Sequence, residues 1–178
     1  MTETHSRTPQ IYVACLASYN SGELHGDWID AAQDVRDLHT DILKMLKESP
    51  IENAEEWAIH DYEDFHPLSV GEYEDLELIS AAANLIAEHR SAAAGILEHF
   101  GGLEYHEDAK RLLEDGQAGT WESVEDWAGS LVDEGIFGEV SKGLLPYIDL
   151  ERLARDLELS GDIVSIRTEE GVAIFWNR

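Results

Sequence analysis

Carboxylates are the residues of this sequence that could do chemistry, and many of them are concentrated in one segment that offers them no cations. Between Glu48 and His89 the chain has twelve Asp or Glu residues and no Lys or Arg. Over the whole chain, 38 acidic residues stand against 12 Lys or Arg, which gives a formal net charge of −26. Such a charge disfavours binding to nucleic acid or to an anionic membrane, and it favours basic proteins and metal cations.

A metal site is the first chemistry that this segment suggests. Five potential ligands fall within seven residues: His60, Asp61, Glu63, Asp64 and His66. On a strand, successive side chains point to opposite faces, which places His60 and Asp64 on one face and Asp61 and Glu63 on the other. Neither face of the strand then supplies the three or four soft or borderline ligands that zinc requires. A calcium loop around "EDGQAG" also fails, because Gly116 and Ala118 would occupy positions that need a side-chain oxygen. We therefore expect no metal and no cofactor.

Catalytic motifs are absent from the sequence. With 38 carboxylates, chance alone supplies many pairs at the separation that glycosidases use. No GxSxG, P-loop or GxGxxG motif occurs. The single cysteine, Cys15, falls in a predicted core strand and is expected to be an inert buried thiol. We expect a protein that is not an enzyme, and a cytoplasmic one, since there is no disulfide framework, signal peptide or long apolar run.

A surface that binds a basic partner is the remaining interpretation of the carboxylates. Asp34, Asp37 and Asp41 recur at helical spacing, where like charges repel one another and destabilise the helix slightly. An ordinary solvated face usually intersperses Lys among such acids, and no Lys lies between Asp34 and Asp41, so we favour selection for a negative field. The predicted partner-binding residues are Asp34, Asp37, Asp41, Glu52, Glu55, Glu56, Asp61, Glu63, Asp64, Glu72, Glu74, Asp75 and Glu77.

The magnitude of the charge suggests what such a partner normally binds. Duplex DNA carries about one negative charge per 1.7 Å of axis, so 26 charges correspond to about 44 Å of duplex. A globule of this chain length is about 40 Å across, which makes the two charge densities comparable.

Apolar periodicity predicts the elements that position these carboxylates. In the first third, strands are predicted at "QIYVACLASY", "DWIDA" and "EEWAIHDYE". The segment "QDVRDLHTDILKMLKE" is a predicted helix that buries Val35, Leu38, Ile42 and Met45. The N-terminal module, residues 8–63, is therefore a small antiparallel sheet with one helix.

The middle of the chain, residues 64–109, is predicted to be a helical module. Two helices, "EYEDLELISAAANLIAEH" and "SAAAGILEHF", are separated near Arg90. Ser69 or Gly71 is the expected N-cap of the first helix, and Gly101 ends the second.

The last third, residues 110–178, is predicted to be a second small sheet with helices. "KRLLE" is a predicted strand and "EDGQAG" a turn. "WESVEDWAGSLVDE" is a helix capped by Thr120, and "YIDLERLARDLEL" is a helix that starts near Asp149. "DIVSIRTEEGVAIFWNR" is a hairpin. The predicted fold class is α+β, in an elongated chain of three modules.

Three segments resemble a known family. "IYVACLASYNSGELHGDWIDA", "WAIHDYE" and "YIDLERLARDLELSGDI" are similar, in this order, to the ArdA antirestriction proteins. The likeness extends from about Gln10 to the C-terminus and rests on several ordered segments rather than on one short motif.

The resemblance implies both a function and an assembly. ArdA proteins mimic the shape and charge of bent B-form DNA and occupy the DNA-binding groove of type I restriction–modification enzymes, mainly the methyltransferase core with its specificity subunit. The family fold has three small modules in an elongated, curved arrangement, and it forms a homodimer through the C-terminal module. Such proteins are typically encoded on mobile genetic elements. No catalytic residues carry over, so the implied mechanism is competitive binding, without contact to nucleic acid or membrane.

Two other functions remain open from the residues alone. The chain could be an acidic inhibitor that sequesters another basic DNA-binding protein, such as a nucleoid protein or a repressor. It could also be a metal-dependent hydrolase, which would need a concave pocket with convergent ligands.

Overall fold

A computed structural model of the protein describes residues 8–177. The chain divides into two compact units, Met1–Glu107 and Asp108–Arg178, with the boundary in the first turn of a helix that begins at His106. Each unit contains one three-stranded antiparallel sheet with helices. The predicted α+β class is therefore confirmed.

The sheet of the first unit consists of the three strands expected from the sequence. They are β1 (Gln10–Cys15), β2 (Gly26–Asp30) and β3 (Trp57–Glu63), in the order β2-β1-β3. The first predicted strand was too long, because Leu16–Asn20 forms a short helix, α1. The chain turns there because the hydroxyl of Ser18 is fully buried against the Ser49 hydroxyl, 2.9 Å away.

The inner face of this sheet carries the core of the first unit. Ile11, Val13 and Ile29 are almost fully buried on it, and helix α2 (Val35–Lys47) packs against β1 and β2. The predicted α2 is confirmed, and Leu38, Ile42 and Met45 are buried on one helical face as predicted. Val35, also predicted to be buried, is half-buried because it lies in the first turn of the helix. On the outer face, Trp28 and Asp30 of β2 and Asp61 and Glu63 of β3 are exposed to solvent.

Two further helices complete the first unit, α3 (Leu76–His89) and α4 (Ser91–Phe100). The predicted caps Ser69 and Gly71 were wrong. Asp75 is the N-cap of α3, and its carboxylate accepts a hydrogen bond from the backbone N–H of Glu77 at 2.9 Å. The residues before Asp75 run beside β3, where the N–H of Ile59 donates to the carbonyl of Glu72. The helix therefore begins only after this contact.

The break between α3 and α4 leads to a prediction about stability. Arg90 joins the helices with φ 53° and ψ −133°, a backbone conformation that strains residues other than glycine. We expect Arg90→Gly to raise the free energy of unfolding by about 1 kcal/mol, because glycine has no Cβ to clash. Denaturant titration measures this change. The control Glu88→Gly, at an exposed position within α3, should lower the free energy of unfolding by about 1 kcal/mol. A less stable Arg90→Gly variant would contradict the prediction.

The second unit contains three helices and three strands among its described residues. The helices are α5 (His106–Asp115), α6 (Val124–Asp133) and α7 (Leu150–Ser160), and the strands are β4 (Gln117–Trp121), β5 (Ile163–Thr168) and β6 (Gly171–Trp176). The strand order is β4-β6-β5. The predicted α6, α7 and C-terminal hairpin are confirmed, and Asp149 is the N-cap of α7.

Three predictions for the second unit were wrong. "KRLLE" lies within helix α5, because Ala109, Leu112 and Leu113 are buried at helical spacing. The segment read as a turn, "EDGQAG", instead contains the end of α5 and the start of strand β4, which pairs with β6. Thr120 lies in that strand, and the hydroxyl of Ser123 caps α6 by accepting from the N–H of Asp126 at 3.0 Å.

The core of the second unit lies between its sheet and helices α6 and α7. Trp127, which is 2% exposed, packs there with Leu131 of α6, Leu157 of α7 and Ile174 of β6. The ring centroids of Trp127 and Trp176 are 5.1 Å apart. None of the helices in residues 8–177 is long and apolar enough to cross a membrane.

Candidate partner-binding surface

Exposure is the property that the predicted partner-binding carboxylates share. Twelve of the thirteen are exposed and Glu74 is half-buried. Throughout residues 8–177, no Asp or Glu is buried. The acidic side chains therefore lie at the surface of both units.

Internal cations pair with few of the carboxylates in residues 8–177. Within residues 8–107, no Lys or Arg nitrogen lies within 4.0 Å of a carboxylate oxygen, and the ion pairs there are two histidine contacts. In residues 108–177, Arg111 lies 2.6 Å from Asp108, and Arg152 lies 3.9 Å from Asp156. Both pairs are on the surface, where such contacts contribute little. The negative field of the first unit is accordingly available to a partner.

Helix α2 holds the first group of predicted residues. Asp34 is its N-cap and accepts from the N–H of Arg36 at 2.9 Å, while Asp37 lies in its first turn. Carboxylates at these positions stabilise a helix N-terminus, so both residues also have a structural role. Asp41, one turn further on, accepts from the side-chain amide of Gln33 at 3.0 Å.

Strand β3 and the loop before it hold the second group. Asp61 and Glu63 alternate with the inward-facing Tyr62 and lie on the outer face of the sheet. Asp64 follows with φ 61°, a left-handed conformation that Asp tolerates better than most residues. Three further members, Glu52, Glu55 and Glu56, lie in the loop that leads into β3 and are exposed.

The third group surrounds the start of α3. The backbone of Glu72 is bonded to β3, which brings this group next to the second. The half-buried Glu74 accepts from the N–H of Gly71 at 3.2 Å and lines a cavity of about 280 Å³ with Glu98 and Glu104. Asp75 and Glu77 occupy the N-cap and first turn of α3.

The negative charge of the second and third groups acts on an exposed phenol, that of Tyr73. The carboxylate of Glu72 raises the pKa of Tyr73, with a smaller contribution from Glu56, because a negative neighbour disfavours the phenolate. We expect Glu72→Gln to bring the pKa of Tyr73 down towards its ordinary value, as measured by NMR titration of its ring protons. Glu88→Gln, which removes a carboxylate absent from these causes, should leave the pKa unchanged. An identical pKa in Glu72→Gln and the wild type would contradict the assignment.

The predicted residues therefore occupy two sides of the first unit. The second and third groups adjoin each other at β3. The residues of α2 belong to a helix on the inner face of the sheet, whereas Asp61 and Glu63 lie on the outer face. A partner that contacts all of them must enclose the unit rather than touch one flat face.

Sequence reasoning missed several residues beside these groups. Asp27, Asp30 and Glu48 line a groove of about 170 Å³ with Asp41 and Lys44. Strand alternation would have put Asp30 and Trp28 on the same face as each other. It could not have shown which residues of β1 lie beside them, because that depends on the register between strands.

A metal centre is not formed by these clusters. In the part of the chain that the structure describes, no group of three or more His, Cys, Asp or Glu residues is arranged to hold a metal ion. The chemistry that remains is attraction of positive charge by exposed carboxylates.

Comparison with known proteins identifies one family. The model of the family described as "Antirestriction protein (ArdA)" matches residues 11–172. A comparison with curated proteins finds no match to this chain.

Proposed function

Since this chain belongs to the ArdA family of antirestriction proteins, we propose that it inhibits a type I restriction–modification enzyme by occupying the groove that normally holds DNA. Family membership makes restriction–modification enzymes its target. The proposed binding site on that target is the methyltransferase core with its specificity subunit.

The uncompensated carboxylates of the first unit support this mechanism. A groove that grips duplex DNA is lined with Lys and Arg, which neutralise phosphates and release counterions. Exposed carboxylates without internal partners can replace those phosphates, because within residues 8–107 no carboxylate has to leave a Lys or Arg first. Long-range attraction between the two surfaces also accelerates their encounter at low salt.

A competition assay tests the proposal. A purified type I methyltransferase with its specificity subunit is bound to a fluorescent duplex that contains its recognition sequence. We expect the protein to displace the duplex. Its inhibition constant should rise steeply as salt is added, because added salt reduces the free energy gained from counterion release.

The control for this assay is a basic nucleoid protein bound to the same duplex. Displacement from the methyltransferase at concentrations that leave the nucleoid complex intact supports the proposed target. Displacement from the nucleoid protein alone favours sequestration of another basic DNA-binding protein and contradicts the proposal.

We also propose that the protein is a homodimer assembled through its second unit. The segment between α6 and α7 exposes apolar side chains, among them Phe137 at 51% and Tyr147 at 84%. Its other exposed apolar residues are Ile136, Leu144 and Leu145. Clustered apolar surface of this kind is typical of protein interfaces.

Sedimentation velocity tests the dimer. We expect the wild type to sediment as a dimer and the double variant Phe137→Ser/Tyr147→Ser to sediment as a monomer, because the variant loses the centre of the apolar segment. The control Leu159→Ser alters an equally exposed residue of α7, outside the segment, and should remain dimeric. A wild type that stays monomeric at high concentration would refute the assembly.

A further inference from the structure

The outer face of the first sheet combines aromatic rings with carboxylates. We use the term outer sheet face for the solvent-facing side chains of two adjacent rows across β2, β1 and β3. The strand register places them as Trp28–Tyr12–Asp61 in one row and Asp30–Gln10–Glu63 in the next. Neighbouring residues in a row lie on adjacent strands, and the two rows are about 7 Å apart. Three carboxylates therefore lie beside two rings on one small surface, one at the β3 end of their row and two in the next row.

The two rings form a fixed platform. The centroids of Tyr12 and Trp28 are 5.5 Å apart, with an angle of 55° between their planes. The lack of a side chain at Gly26 leaves room for the Tyr12 ring, because a Cβ at residue 26 would lie 2.8 Å from Cζ and from the hydroxyl oxygen of Tyr12. The ring of Tyr12 thus rests over the backbone of β2, where it supports Trp28 at the surface.

The exposure of Trp28 is not explained by packing of the core. Trp28 is 39% exposed, whereas Trp127, in the core of the second unit, is 2% exposed. A large indole left at the surface and braced by a second ring is typical of residues that anchor a binding partner.

The carboxylates around the platform are oriented by hydrogen bonds. Asp30 accepts from the hydroxyl of Thr8 at 3.0 Å and from the N–H of Ala32 at 2.9 Å. Asp61 accepts from the N–H of Tyr62 at 2.8 Å. Trp28 and Asp61 are two strands apart, about 10 Å, with Tyr12 between them. The ring of Tyr12 leans towards β2, so a flat cation stacked on the two rings would extend across β1 to reach Asp61.

Arginine fits this arrangement better than lysine does. Its guanidinium is planar, stacks on aromatic faces, and can give a carboxylate two parallel hydrogen bonds. The lysine ammonium is compact and strongly hydrated, so it gains less free energy than a guanidinium from contact with an aromatic ring.

We propose that the outer sheet face is an arginine-binding platform, in which an arginine of the basic partner stacks on Trp28 and Tyr12 and bonds to Asp61. This inference rests on the proposed function only in assuming a partner with a basic surface. It adds a specific recognition element to a mechanism that otherwise depends on charge alone.

Peptide binding tests the platform without the restriction enzyme. Hexa-arginine and hexa-lysine, which carry equal charge, are titrated into the full chain by calorimetry at matched ionic strength. We expect Trp28→Ala to reduce the preference for hexa-arginine about two- to fivefold, the fold-change expected from one exposed cation–π contact. Its affinity for hexa-lysine should keep the wild-type salt dependence, because no charge has been removed.

Two further variants make the result specific. Trp28→Leu keeps an apolar side chain without the ring, and it should lose the preference to the same extent as Trp28→Ala. Tyr105→Ala removes a ring of equal exposure, 39%, that stacks on Phe100 outside the outer sheet face. This control should keep the full preference for hexa-arginine.

The outcomes separate this inference from the proposed function. An undiminished preference in Trp28→Ala, or a preference restored by Trp28→Leu, would overturn the platform even if the wild type displaces DNA from the methyltransferase. A diminished preference supports the platform even if the wild type displaces no DNA, in which case the proposed function fails alone.

Discussion

Neutralising six carboxylates of the first unit together is expected to abolish competition with DNA, whereas neutralising any one of them changes the inhibition constant less than about fivefold. A single exposed ion pair contributes about 0.2–1 kcal/mol, so six of them contribute about 1–6 kcal/mol, or about sevenfold to twenty-thousandfold in affinity. The variant combines neighbouring members of the second and third groups: Glu55→Gln, Glu56→Gln, Asp61→Asn, Glu63→Gln, Asp64→Asn and Glu72→Gln.

A matched control separates the position of the charges from their number. It neutralises six exposed carboxylates of the second unit, so that both variants raise the net charge by the same amount: Glu114, Asp115, Glu122, Glu139, Glu169 and Glu170. The control should weaken inhibition less than the first-unit variant in the same displacement assay. Equal losses would show that the binding residues are not concentrated in the first unit. Abolition of inhibition by one single substitution would show that distributed charge is the wrong mechanism.

Trp127→Ala is expected to lower the free energy of unfolding of the second unit by about 3–5 kcal/mol. The indole is 2% exposed, contacts both core helices and the sheet, and packs on Trp176. Its removal therefore leaves a large cavity between the helices and the sheet. Hydrogen exchange in denaturant measures the two units separately, which matters because they need not unfold together.

The surface tryptophan provides the control for this measurement. Trp28→Ala removes the same side chain from the outer sheet face, where it is 39% exposed, and should cost less than about 1 kcal/mol. A cost as large as that of Trp127→Ala would show that Trp28 belongs to the core of its unit.

Strongly periodic segments made much of the fold predictable. Helix α2 was recognisable because Leu38, Ile42 and Met45 repeat on one face. Helix α7 was recognisable because Asp149 precedes an equally clear pattern. Helix α5 was not predicted because "KRLLE" is too short to show a helical period. The period appears only when Ala109, one turn before Leu112 and Leu113, is included.

Helix starts were harder to place than the helices themselves. Asp75 and Ser123 cap α3 and α6, yet nearby Ser, Thr and Gly residues satisfy the same local preference. The choice among them depends on where the preceding chain is held, as the bond between Ile59 and Glu72 shows. That bond joins residues far apart in sequence, so no local pattern reveals it.

The candidate site was predictable in charge but not in arrangement. Composition alone required the acids to be at the surface. The position of Tyr12 between Trp28 and Asp61 depends on pairing among three strands, including an irregularity in the register after Tyr12. Such long-range pairing is set by the assembled core rather than by neighbouring residues.

The lack of Lys or Arg contacts to carboxylates in residues 8–107 has an evolutionary consequence. An acid with no internal counterpart can be lost at one exposed position and regained at another without a compensating second mutation. Lineages of this protein can therefore drift widely in sequence while they keep the same field. Under the proposed mechanism the restriction enzyme cannot change its binding groove as freely, because any mutation of the groove that weakens binding of the inhibitor also weakens binding of DNA.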